Sequence, residues 1–315
     1  YTGEDEIIEI KTTNRILKTN ARHRIAVRKR YPEKCLLGSH PVTWQTEFIA
    51  AGELKVGDTI LTVKKLPSLD ETKCPTRVCS EGFMEFCGLL LGDGNVQKGY
   101  ISVARGQQAT YFDHYRQVMK EEFVYFGNRG NGKGENLIET FPVKLQEQER
   151  QTRFSSVLAC KELNKLGFNG NARTKQIPGW VFETTSEYKL AFLRGFLDAD
   201  GSVDKKGRIS FHSVNKKMLS QIRHLCMSLG IPVTNQRRQK VETILPNGKP
   251  FSGEIYTFTC SNPKANQRIG SHDNRYQKRM NQGKPFNRKG RGYPRHGGKQ
   301  FDNEECELAR IVSIQ

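Results

Sequence analysis

The chain lacks any apolar run long enough to span a bilayer, and no basic amphipathic segment dominates it, so a membrane partner is set aside. It is short of acids: 33 Asp and Glu stand against 51 Lys and Arg, giving a net charge of +18 and a sequence pI near 9.6. Such an excess of cations is the footprint of a polyanion, and nucleic acid is the leading candidate. The eight cysteines fall at 35, 74, 79, 87, 160, 226, 260 and 306. Only Cys74 and Cys79 are close, with no matching pair downstream, which argues against a zinc site; reduced thiols are expected, with Cys87 a small helix-core residue. No secretory leader reads at the start, which runs Tyr-Thr-Gly-Glu-Asp-Glu without Met, so a fragment or excised segment is expected. At 315 residues there is room for two domains and a proper core.

What is present is a repeat. Phe86-Cys-Gly-Leu-Leu-Leu-Gly-Asp-Gly94 and Leu193-Arg-Gly-Phe-Leu-Asp-Ala-Asp-Gly201 are both apolar helical runs ending in Asp-Gly. The echo continues into Asn-Val-Gln-Lys-Gly-Tyr-Ile-Ser-Val after the first and Ser-Val-Asp-Lys-Lys-Gly-Arg-Ile-Ser-Phe after the second. Each copy then enters an amphipathic helix closing on a glycine, Gly127 or Gly230. Asp93 and Asp200 are 107 residues apart, the size of a small domain half, so the middle of the chain reads as a tandem duplication.

Within each run small residues sit four apart, Gly88 and Gly92 in one and Gly195 and Ala199 in the other, leaving each helix one bare face for close backbone approach. Both helices are apolar almost all round and demand burial, most simply against each other across a pseudo-twofold axis. Asp93 and Asp200 then emerge side by side. Each carboxylate stands at the partly negative end of its helix and repels the other, so the pair calls for a cation. Hard oxygen ligands with nearby phosphates suit Mg²⁺, and two aspartates sharing metal over a scissile phosphate make a phosphodiester hydrolase. The plain alternative is that Asp-Gly merely ends a helix.

Both stretches resemble the LAGLIDADG motif of homing endonucleases, in the single-chain, two-motif form found inside inteins. The second copy departs by Arg194 and Phe196; the first carries Leu91 where the pattern has its first acid and Gly92 where it has Ala. Both keep the final Asp-Gly. The resemblance implies Asp93 and Asp200 as the catalytic pair, holding two or three Mg²⁺ ions shared with DNA phosphates, with Gly92 and Ala199 contributing to the metal set. It implies double-stranded DNA as partner, a monomer, and a cytoplasmic or nucleoid location in a bacterial, archaeal or phage-like setting.

Ahead of the repeat, Glu4 to Arg30, Trp44-Gln-Thr-Glu-Phe-Ile and Thr59-Ile-Leu-Thr-Val read as short strands with turn signals, a small all-β domain. Ala51-Gly-Glu-Leu-Lys-Val-Gly-Asp58 before an apolar strand resembles the Hint fold of protein-splicing domains. The resemblance places His23 as the residue assisting the first acyl shift, with Asn20, or Thr19 one residue further off, standing where the family has Thr; a structural His before a strand is the alternative. Splicing also needs a nucleophile at the first residue and a terminal His-Asn pair, whereas this chain begins Tyr1 and ends Arg310-Ile-Val-Ser-Ile-Gln315. The expectation is a splicing domain without its ends, the last segment returning as a strand, with host-protein exteins as partners in the uncut precursor.

Lys175-Gln-Ile-Pro shortly before the second motif resembles an intein-endonuclease block whose Lys approaches the active site, where it would stabilise developing phosphorane charge or lower the pKa of the attacking water. The alternative is an exposed Lys before a turn-forming Pro. Helices are expected over Tyr111–Phe126, Val157–Leu166 and Lys216–Leu229, with Ser186 capping the second motif helix. Strands are expected over Pro232–Thr243 and Glu254–Cys260. Their alternating face, with Thr234, Gln236, Arg238 and Lys240, offers a ribbon for a DNA groove, Arg208 and Arg237 joining it; a solvated edge ribbon is the alternative. Residues 265–300, including Arg288, Lys289 and Arg291, read as a mobile basic loop for phosphates.

The fold class that follows is α+β: two pseudo-symmetric αββαββα repeats inserted in a partial all-β Hint domain. The boundaries are 1–66 (splicing domain), 67–82 (linker), 83–264 (endonuclease, repeats 83–168 and 175–264), 265–305 (basic loop) and 306–315 (returning strand). The function the resemblance implies is a Mg²⁺-dependent, site-specific double-strand break in DNA. A decayed DNA-binding remnant and an RNA maturase on the same fold are the rivals.

Overall fold

The computed structural model describes residues 6–13, 15–32, 42–63, 79–104, 111–122, 145–148, 151–244, 248, 250–283 and 306–315. The chain divides into two compact units. The first takes in residues 1–66, 233–235 and 287–315, the second 67–232 and 236–286.

The first unit is built on β1 (Ile7–Thr12), β2 (Ile16–Asn20), β3 (Arg24–Pro32), β4 (Val42–Ala50), β5 (Thr59–Val63) and, from the far end of the chain, β14 (Cys306–Ile314). They form one sheet in the order β2-β1-β14-β5-β3-β4. The last strand is thus interior, pairing antiparallel with β1 on one side and β5 on the other. Period-two alternation of β-branched residues drives one face inward, and Ile10, Ile25, Val27, Ala51, Leu54, Ile60, Ala309 and Ile311 make a common core.

The second unit repeats one plan. It begins with α1 (Glu81–Asp93), β6 (Gly94–Val96), β7 (Tyr100–Ala104), α2 (Phe112–Glu122), β8 (Leu145–Gln148), β9 (Gln151–Ser155) and α3 (Val157–Lys165). It continues with α4 (Ser186–Asp200), β10 (Gly201–Val203), β11 (Ile209–Ser213), α5 (Lys216–Ser228), β12 (Arg237–Ile244), β13 (Pro250–Cys260) and α6 (Pro263–Asn266), to which α7 (Asn274–Gln282) is appended. The sheets run β6-β7-β9-β8 and β10-β11-β13-β12, the same strand order twice. No helix among the described residues is long and apolar enough to cross a membrane.

Local chemistry shifts several expected boundaries. Thr185, not Ser186, caps α4, its hydroxyl accepting from Tyr188 N. β12 starts at Arg237 rather than Pro232, because Gln236 is drawn to α5, donating to Lys216 O at 3.3 Å and accepting from Ser220 Oγ at 2.9 Å. The largest departure lies in 265–283, expected as a mobile loop and folded here. Asn262 and Asp273 cap α6 and α7, and Met280 is fully buried, so a very polar helix is held by its cap and one apolar anchor. Cys87, Cys160, Cys226 and Cys260 are free and buried, whereas Cys79 is in a disulfide, against the expectation of reduced thiols throughout.

Candidate active site

α1 and α4 pack face to face. Ser80 starts α1 by accepting from Phe83 N, and every residue from Phe83 to Leu91 is buried. The helices approach closely because Gly88, Gly92, Gly195 and Ala199 all lie on the contact. A Cβ at Gly88 would stand 2.0 Å from Phe192 O, and one at Gly195 would stand 1.8 Å from Glu85 O. At Gly92 it would meet the Ala199 methyl at 2.5 Å. The first two sites admit no side chain at all, since backbone stands in the way.

Asp93 and Asp200 are the last residues of the two helices, and each is followed by a glycine whose N–H closes the helix, onto Leu90 O and Leu197 O. Neither glycine is left-handed (φ −93° and −116°). What requires glycine is space, since a Cβ would fall 2.3 Å from Leu90 Cδ1 at Gly94 and 2.5 Å from Leu197 Cδ1 at Gly201. The bare face at Gly92 also brings the second carboxylate near, 3.4 Å from where a Cβ would be.

Lys175 is buried, and its ammonium reaches the last turn of α1. It donates to Leu90 O and Leu91 O at 3.1 Å, to Gly92 O at 3.4 Å, and to Gly94 O. A cation over exposed helix carbonyls is well placed against the macrodipole. Asn215 Nδ2 fixes the lysine backbone by donating to its carbonyl at 2.7 Å, and Gln221 Oε1 accepts from Ile177 N at 3.0 Å.

The electrostatics are those of too much negative charge in too little water. Burial pushes the Asp93 carboxyl up to about 6, with Lys175 pulling it back. Burial and the Asp93 charge push Asp200 up to about 7, again eased by Lys175. Lys175 itself is lowered by burial, against the pull of Asp200 and Asp93. Two oxygen-donor carboxylates held ready to lose protons together are a fit for a hard divalent cation, which would replace the missing counter-charge.

A second polar cluster on the same helix pair was not found from sequence. Glu85 Oε2 faces His114 Nε2 at 2.6 Å and His272 Nε2 at 3.1 Å, and its other oxygen accepts from Arg194. Burial alone would raise Glu85, but the hydrogen bonds from both histidines and the Arg194 charge hold it near 2. Asp198 accepts from Ser271 Oγ at 2.5 Å, Tyr115 Oη at 2.9 Å and His272 N at 3.2 Å. The one available signal was Asp198 itself, the first acid of the second motif, for which the first motif has Leu91.

The remaining predicted residues are scattered. Arg208 is tied to Asp204 at 2.6 Å, Arg238 to Glu254, while Arg237 and Lys240 stand exposed along β12. Arg288, Lys289 and Arg291 lie outside the described residues. In the first unit Asn20 Oδ1 accepts from the backbone N–H of His23 at 2.8 Å, a turn contact that leaves the exposed imidazole unengaged by it.

The paired motif helices over two sheets of equal strand order define a duplicated α+β domain, and residues 187–250 match the LAGLIDADG-like domain. An iron–sulfur cluster assembly SufBD family protein of Mycobacterium leprae is 23% identical over 252 residues, 73% of this chain and 26% of that protein. The homothallic switching endonuclease of Saccharomyces cerevisiae is 35% identical over 93 residues, 28% of this chain and 16% of that one. The chain therefore spans about a quarter or less of these curated relatives. The homing endonuclease I-WcaI, solved bound to its DNA recognition sequence, aligns at a TM-score of 0.38 and 13% identity over 62% of this chain and 82% of that one.

Proposed function

We infer that the second unit is a site-specific DNA endonuclease that makes a double-strand break, with one carboxylate serving each strand. The observation that carries this is the convergence of Asp93, Asp200 and Lys175 at the ends of two packed helices, in a chain of net charge +18. Mg²⁺ held by Asp93 and Asp200, with Gly92 and Ala199 beside them, would supply neutralising charge for the phosphate and an acidified water. The carboxylates, raised to about 6 and about 7, deprotonate as pH approaches neutrality and hold the site ready for such an ion. An ammonium has three donors, and those of Lys175 are taken up by carbonyls of the α1 end. It therefore acts through its field on the carboxylate pair and by fixing the turn that carries Asp93, not by giving up a proton.

Around this centre the two four-stranded sheets would grip a long duplex as a monomer, with Arg237, Arg238, Lys240 and Arg208 reading or positioning it and Arg288, Lys289 and Arg291 adding phosphate contacts. The surface pairs Arg238–Glu254 and Arg208–Asp204 are weak and exchangeable for phosphate. An RNA maturase would share the fold.

The first unit we read as part of a protein-splicing domain, carrying His23 and Asn20 and interrupted by the endonuclease, the whole being an intein whose partners are its exteins. Supporting this, β1–β5 and β14 come from opposite ends of the chain into one sheet, so the second unit is an insertion within the first. The likeness also covers only 26% of a SufBD family protein and 16% of an endonuclease, as befits a transferable segment.

The test is incubation with a randomised duplex library in Mg²⁺ and sequencing of cut ends. One shared long consensus is expected. Retention of DNA with no cut ends at any Mg²⁺ concentration would instead mark a remnant that only binds.

A further inference from the structure

The cluster around Glu85 flanks the same helix pair, with Glu85 eight residues before Asp93 on α1 and Asp198 two residues before Asp200 on α4. It draws on three separate parts of the second unit. Glu85 comes from α1, His114 from α2, and His272 from the turn before α7, 187 residues along the chain from Glu85. The two imidazoles are stacked, with centroids 3.5 Å apart and planes 17° from parallel, and both present Nε2 to the same carboxylate oxygen. The three potential ligand atoms all lie within 4.8 Å of one another.

We propose that Glu85, His114 and His272 form a second metal site, for a borderline divalent cation such as Zn²⁺. The donor set argues for that class. Two imidazole nitrogens and one carboxylate oxygen suit zinc, nickel or cobalt, whereas Mg²⁺ prefers all-oxygen surroundings like the aspartate pair. In the bound form each imidazole would carry its proton on Nδ1 and turn its Nε2 lone pair to the ion. The setting also fits. Glu85 is buried with a side-chain exposure of 4%, and its second oxygen is held by Arg194, the kind of outer partner that orients a ligating carboxylate. The histidine side chains are 35% and 27% exposed, which leaves an approach from solvent and, on that side, a place for water as a fourth ligand.

The role is structural. His272 belongs to a turn that Arg194 already grips through Ile269 O at 2.8 Å, and that Asp198 grips through Ser271 and the His272 amide. An ion would clip this turn, and α7 behind it, onto α1 and α2. α7 in turn touches the second motif, with Tyr276 Oη donating to Gly201 O at 3.3 Å and Arg279 to Val203 O at 2.7 Å.

The experiment is dialysis of the full chain against Zn²⁺ followed by elemental analysis, with Co²⁺ absorption as a geometric readout and thermal melting alongside. The double variant Asp93→Asn, Asp200→Asn removes the other cation site. We expect it to retain one equivalent of Zn²⁺, to show Co²⁺ d–d bands and to melt higher with Zn²⁺. His114→Gln and His272→Gln in that background keep a donor to Glu85, fold with a native far-UV spectrum, and should each lose the equivalent, the bands and the melting shift. Zinc bound equally by the histidine variants, or no zinc bound by the aspartate double variant, would overturn the site.

Discussion

The ends of the two motif helices are built alike and wired differently. Both finish Asp-Gly, both glycines close the helix by the same N–H bond, and both lead into the edge strand of a four-stranded sheet. Beyond that the likeness stops. The carbonyls of the first end are covered by the Lys175 ammonium, while at the second Gly201 O takes a hydrogen bond from Tyr276 and Val203 O one from Arg279. Moving 107 residues along, Leu91 becomes Asp198, Cys87 becomes Arg194, and Glu85 becomes Phe192. The duplicated halves keep what the helix contact and the carboxylate pair require. They diverge in the polar side chains that dock α2 and α7 on one flank only.

That contrast is broken most severely at the shared contact. Gly195→Val forces a side chain into Glu85 O and should cost roughly 3 kcal/mol or more, a large drop in melting temperature in thermal melts. Gly92→Ala meets side chains and not backbone, the Ala199 methyl at 2.5 Å and the Asp200 carboxylate at 3.4 Å, and should melt well above Gly195→Val.

The next largest effect separates the two ends. Lys175→Met strands the carbonyls of the α1 end and should cost about 1–3 kcal/mol. It also removes the positive charge that lowers both aspartates, so the midpoint of any pH–activity profile moves upward, which the activity series would show. Tyr276→Phe removes only one weak hydrogen bond at the other end and should leave that midpoint in place.

The pH dependence of stability sharpens the picture further. Both carboxyls are raised from an ordinary 3.8, so in metal-free buffer their contribution is fully present below about pH 4 and is lost as pH climbs through about 6 and about 7. Asp200→Asn should flatten this and stabilise the metal-free protein at pH 8 by on the order of 2 kcal/mol, discounting for partial exposure. Denaturant melts at pH 5 and pH 8 check it.

Smallest is the surface of β12. Arg238→Ala breaks an exposed pair with Glu254 and should change stability by under about 0.5 kcal/mol. In DNA-binding titrations it should reduce the salt slope by about 1.

What could be read in advance was local. Glycines four apart, an Asp-Gly at the end of an apolar helix and a Lys-x-Ile-Pro phrase each state their requirement within a turn or two of chain. The strands between Glu4 and Arg30 did the same by alternation. The Glu85 cluster could not be read this way, because its members are 29 and 187 residues apart and each alone is an ordinary surface residue type. α7 was hidden by composition. Asn274-Arg-Tyr-Gln-Lys-Arg-Met-Asn-Gln282 carries one buried apolar residue, Met280, and its other supports come from Tyr276, Arg279 and the Asp273 cap. Periodicity has little to count in such a helix.

If Asp93 and Asp200 form one reacting centre, neither can be lost without loss of cutting. The most direct measurement is cleavage of the consensus duplex in Mg²⁺ by wild type, Asp93→Asn and Asp200→Asn, with each labelled strand followed separately. Each variant should lose on the order of 10³-fold or more in double-strand breakage while still retaining DNA in Ca²⁺. Breakage at the wild-type rate by either variant would contradict it.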